Sequence, residues 1–174
     1  MFGTKRRDQA SERAIATLTD NLSAQLTVYI NMGILIDALE ADPYIAGYIS
    51  GKIHSFIAYS IRAEGLNQSD ANQVSGRVIL NIFGNENGRI VSEALKRHAS
   101  EATREYKQAQ NRGVLVVAYA VGARNIQSEP EYDKATEAFK SATETIGVFE
   151  SDEDLAAIGG LEEIWFAQYI KAYM

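Results

Sequence analysis

The sequence contains no cysteine. That single absence removes disulfide scaffolds, thiolate zinc sites, iron–sulfur clusters and cysteine nucleophiles. Histidine is nearly as scarce, with His54 and His98 the only two imidazoles. Neither falls in a His-x-x-x-His, His-Glu-x-x-His or Glu-x-x-His spacing, so zinc-protease and di-iron patterns are missing. No cofactor and no metal are expected. Two prolines in 174 residues leave few points at which a helix must break. No apolar run reaches the ~20 residues a membrane-spanning helix needs. The two most apolar, Leu26–Leu39 and Val114–Ala123, read as buried elements, and the first is interrupted by Asn31 and Asp37. The basic start, Met1 to Asp8, is not followed directly by the apolar stretch of a secretory signal, so a cytoplasmic protein without a membrane partner is expected. Positive charge is in deficit as well. A net charge of −6 argues against a general nucleic-acid binder.

What is present favours helix. Hydrophobic residues make up 46% of the chain, enough for a sizeable core and too many for a solvated coil. With no fixed-period repeat and no low-complexity linker, residues 1–174 read as one all-α domain. It is expected to be a bundle or orthogonal array of six to seven helices, with residues 1–7 a flexible basic N-terminus. A long first helix spans about Asp8 to Ala41. Ile15, Leu18, Leu22, Gln25, Tyr29, Met32, Ile36 and Leu39 recur at steps of three and four, a heptad-like seam.

Asp42-Pro43 stops that helix and starts another, which Gly65 and Asn67 end. Ser69 or Asp70 caps a third, closed by Gly84, and Asn85–Gly88 reads as a turn. A helical pattern runs from Arg89 to about Arg112, and Val114–Val121 reads as a buried helix in this neighbourhood. Another helix opens after Glu129-Pro130-Glu131, with Tyr132, Ala135, Phe139, Ala142, Ile146 and Phe149 on its stripe. Asp152, Glu153 and Asp154 mark a further helix start, which the Gly159-Gly160 pair should break before Leu161–Tyr173.

Few motifs carry chemistry. Ala46–Ile53 lacks the Ser or Thr that a phosphate-binding loop places after its lysine, because Ile53 stands there. Gly47, Gly51 and Ser55 instead form a small-residue ridge that lets a second helix approach. His98 lies on an apolar stripe with Ala94, Ala102 and Tyr106, and reads as a boundary histidine bonded to a neighbouring helix. His54 sits on the helix of the glycine ridge. Both are watched as titratable groups. Glu93, Arg97 and Glu101 are i,i+4 pairs on a solvated face.

One feature rises above background. Residues 1–126 hold 14 Lys plus Arg against 12 Asp plus Glu, whereas residues 127–174 hold 3 against 11. Glu150, Asp152, Glu153 and Asp154 are the densest part of this acidic pole, and Trp165, Phe166, Tyr169 and Tyr173 follow closely. Acidic steering and aromatic anchoring are features of protein interfaces.

The expectation is a non-catalytic helical protein working through protein contacts: an inhibitor, immunity-type protein, adaptor or accessory subunit. Its partner would be another protein or itself, as a homo-oligomer joined through the N-terminal seam. The candidate partner-binding residues are Glu150, Asp152, Glu153, Asp154, Trp165, Tyr169 and Tyr173. One alternative is a pocket for an apolar small molecule lined by Tyr44, Tyr48, Phe56 and Tyr59. Others are an enzyme centred on His98 and an acidic mimic of nucleic acid.

Overall fold

The computed structural model describes residues 2–144 and 152–174, and helices account for nearly all of them, with no strand among the described residues. The helices are α1 (Phe2–Asn31), α2 (Ile34–Ala41), α3 (Pro43–Glu64), α4 (Gln68–Phe83), α5 (Asn85–Glu101), α6 (Arg104–Ala120), α7 (Tyr132–Glu144) and α8 (Glu153–Glu162). A 3-10 turn, Ile126–Ser128, precedes α7. Beyond α8 the chain stays helical through a π turn at Glu163–Ala167 and a single turn at Gln168–Ile170, ending in a 3-10 turn at Lys171–Tyr173. The all-α architecture is the one the composition and spacing predict.

Boundaries differ from the sequence pattern where a single residue redirects the backbone. The seam predicts one helix as far as Ala41, but the chain turns at Gly33, whose φ of +73° is left-handed and whose N–H bonds back to Ile30 at 2.9 Å. Apolar residues resume in phase on the far side, which is why periodicity alone hides the break. At the other end α1 takes in residues 2–7. Asn67 is the residue that caps α4. Its side chain accepts from Ser69 and Asp70, and Asp70 returns a bond to the Asn67 N–H at 2.9 Å, a reciprocal capping box. Asn85–Gly88, read as a turn, is the first turn of α5.

The continuous helix expected up to Arg112 is also divided. Ala102 adopts a φ of +47°, and Thr103 then caps α6 by accepting from the Tyr106 N–H at 3.2 Å. Val114–Ala120 forms the final turns of α6, helical as expected, with Val116, Val117 and Tyr119 buried and Val114 exposed. Ile146 and Phe149 lie outside the described residues.

Glycines decide the closest packing. α3 and α6 run parallel, with Gly47 against the Tyr106 carbonyl, Gly51 against that of Gln110, and Gly113 against that of Tyr48. A Cβ at any of these would overlap backbone, so the ridge serves close approach. Gly160 meets the Ala135 carbonyl of α7 in the same way, and α8 continues through the glycine pair without breaking. Part of the α1 seam packs inside the chain: Leu18 and Leu22, with the neighbouring Leu26, are buried in one cluster with Val74 and Val78 of α4, whereas Met32 of the seam is 47% exposed. Among the described residues no helix is long and apolar enough to cross a membrane.

Candidate functional site

The aromatic segment at the C-terminus forms a polar–aromatic lattice with α3, α6 and the start of α7. Trp165 is 2% exposed, and its indole N–H donates to Glu131. The Arg112 guanidinium lies 5.3 Å from the Trp165 ring centre and donates to the Tyr44 hydroxyl at 2.7 Å. Tyr44 in turn stacks on Tyr169, with ring centres 3.9 Å apart and planes inclined by 14°. Tyr48 stacks on Phe166 at 5.1 Å and donates to Glu162 at 2.6 Å. The other oxygen of Glu162 pairs with Lys52. Tyr173, partly buried, donates to Asp42 at 3.2 Å.

Burial pushes the Tyr44 phenol up to about 12 against the opposing pull of Arg112, and it drives Tyr48 well above the ordinary range, assisted by Glu162. These are groups held neutral, not groups poised to ionise. Of the candidate aromatic residues, then, Trp165 belongs to the core, Tyr173 is tied down at its hydroxyl, and Tyr169 keeps a 40% exposed face.

The acidic candidates fall at the start of α8, except Glu150, which lies outside the described residues. Asp152 is the cap of α8, accepting from the N–H groups of Asp154 at 3.0 Å and Leu155 at 3.3 Å. Asp154 accepts from the Tyr132 hydroxyl at 3.1 Å and from Gln127 at 3.3 Å. Glu153 is exposed. With Gln127 and Tyr132 these three carboxylates line an open hollow of about 490 Å³, and Leu155, next in α8, is 53% exposed. Asp133, one residue into α7, is exposed as well. Among the described residues no group of three or more His, Asp or Glu side chains is arranged to hold a metal ion.

The two histidines have different settings. His98 is 4% exposed, with Nε2 3.1 Å from the Glu40 carbonyl of α2 and Nδ1 3.6 Å from a Glu101 oxygen. Arg97 donates to the same Glu40 carbonyl, so the last turn of α5 is fastened to the end of α2. That is the boundary role its apolar stripe predicts. His54 is the imidazole with a hydroxyl neighbour: its Nδ1 lies 3.3 Å from Ser50 Oγ, which accepts from the buried Tyr106 hydroxyl at 3.0 Å. The Ser50–His54 spacing of four on one helix is the sequence signal for this pair. His54 is exposed, and partial desolvation of its ring lowers the pKa, which favours the neutral form at neutral pH.

The four aromatic residues of the pocket alternative do not converge. Tyr44 and Tyr48 are buried in the lattice, Tyr59 is 51% exposed, and Phe56 alone reaches a groove. That groove, about 340 Å³, runs between α3, α6 and α8 beside the Lys52–Glu162 pair. Compared with known families, with curated proteins and with solved structures, the chain matches none.

Proposed function

We propose that this chain is a non-catalytic helical protein that works by contact with a positively charged protein surface, received at the acidic end where α7 and α8 begin. The observation that carries this reading is the open hollow lined by Asp152, Glu153 and Asp154, with Leu155, the next residue of α8, 53% exposed. Carboxylates steer an encounter with a basic surface at long range. Inhibitors, immunity-type proteins, adaptors and accessory subunits all work in this manner. A second copy of the chain qualifies as the partner, because residues 1–126 carry the positive balance. A cytoplasmic setting belongs to the same proposal and suits a chain without cysteine.

The test compares proteins that co-purify with the tagged chain and with a Glu153→Lys, Asp133→Lys double variant. Both positions are exposed, and neither carboxylate caps a helix in the structure. Partners with basic surfaces should be captured at low salt, released as salt rises, and lost in the variant. Equal capture by both proteins at low salt would reject the reading, and light scattering of the unmixed chain shows whether a second copy is bound.

A further inference from the structure

The cavity between α3, α4 and α5 contributes nothing to the acidic end, and its lining has the opposite character. It encloses about 450 Å³, within the range of roughly 300–1,000 Å³ typical of small-molecule sites. Ile53, Ile79 and Leu95 supply hydrocarbon. Lys96 supplies a cation, and the lining includes no carboxylate. The wall formed by α4 is recessed at Gly76, where an added Cβ would meet nothing within 4 Å.

The hydroxyl chain behind His54 gives the α3 wall a direction. Tyr106 donates to Ser50, whose own hydrogen is then available to His54 Nδ1. An imidazole accepting at Nδ1 carries its hydrogen on Nε2, on the other side of the ring. One ammonium and one ring N–H beside an apolar wall suit a ligand with a single negative charge and a short hydrocarbon tail.

We propose that this cavity binds a small amphiphilic monoanion, its carboxylate held by Lys96 and His54 and its tail laid on Ile53, Ile79 and Leu95. The proposal stands on a different face from the acidic end, so either can fail without the other.

The test is titration of the labelled chain with butanoate, hexanoate and octanoate, followed by amide chemical shifts. Shifts should concentrate in α3, α4 and α5, and affinity should rise by up to about fourfold per added methylene, the transfer preference of a buried CH₂. Octanol, which has the tail without the charge, should bind at least tenfold more weakly than octanoate. Lys96→Glu, an exposed substitution, should weaken octanoate at least tenfold. Gly76→Leu should block the cavity while leaving the helical circular dichroism intact and the melting temperature no lower. The proposal is overturned if octanoate moves no amide in these helices, if octanol binds as well as octanoate, or if Lys96→Glu leaves its affinity unchanged.

Discussion

Lys52 and Glu162 pair across 110 residues of sequence, and the lysine side chain is only 3% exposed. Glu162 also takes the Tyr48 hydroxyl, and Tyr48 is stacked on Phe166. A charge so enclosed leans on its counter-ion, because the energy of leaving water is recovered through ion pairing and hydrogen bonds. The pair therefore fastens the C-terminal helix to α3 at a point where α3 and α6 are already at backbone contact.

Glu162→Leu removes the acceptor of both bonds and leaves the ammonium enclosed. It should destabilise the protein by about 2–3 kcal/mol, the lower end for a broken buried pair because Glu162 keeps 27% exposure. A drop of roughly 4–12 °C in melting temperature corresponds to that loss. The double variant Lys52→Met, Glu162→Leu should recover part of it, since the enclosed charge is removed while the Tyr48 hydroxyl still lacks its acceptor. Thermal denaturation of the three proteins checks the order; a double variant less stable than Glu162→Leu would contradict it.

Much of this frame is legible in the sequence, and what was hidden has physical reasons. Helical periodicity reports which face is buried, so Ile15, Leu18, Leu22 and Leu39 announce themselves as core. Periodicity does not report what covers that face. The α1 seam looks the same whether it meets α4 of its own chain, as it does, or a second copy. Breaks at Gly33 and Ala102 are invisible because the apolar stripe continues in phase beyond each. Trp165 illustrates the opposite limit: a residue type favoured at interfaces is also a good core residue once Glu131 satisfies its N–H. Ser50 and His54 were present at helical spacing, but their link to Tyr106 requires α6 to lie against α3, which the glycine ridge hints at without identifying the partner.

The glycine ridge gives a test in which position matters more than residue type. Gly113→Ala places a methyl on the Tyr48 carbonyl, and Gly160→Ala places one on the Ala135 carbonyl. Backbone cannot yield as a side chain tip can, so each should lose about 2–3 kcal/mol or more. Gly76→Ala enters open space in the middle of α4 and should gain about 0.5–1 kcal/mol from helix propensity. Urea unfolding of the three variants decides it. If all three shift alike, propensity governs and the close approach of α3 to α6 is not as described.

At the acidic end, two neighbouring carboxylates should separate structural from surface roles. Asp152→Ala removes the cap of α8 and should cost about 1 kcal/mol. Glu153→Gln changes charge on an exposed first-turn residue and should stay within about 0.5 kcal/mol. Denaturant midpoints at fixed salt distinguish them; equal losses would mean that the Asp152 bonds to Asp154 and Leu155 contribute nothing.

Alkali should unfold the protein through its enclosed phenols. Tyr44 and Tyr119 are each pushed up to about 12, chiefly by burial, whereas a tyrosine in the unfolded chain ionises near 10. Between those limits the unfolded chain has released protons that the folded chain still holds. Stability must then fall with rising pH, being complete below about pH 10 and declining progressively toward pH 12. Tyr48, also raised well above the ordinary range by burial and by Glu162, adds to the same slope. The melting temperature should be level up to about pH 9.5 and then drop, and Tyr44→Phe should shrink the drop after its own constant loss of the Arg112 bond. Ultraviolet titration offers an independent check, because only part of the nine tyrosines should ionise near pH 10 while the fold survives. If all nine titrate together near pH 10 in a protein that keeps its helical circular dichroism, the aromatic lattice is not closed to water.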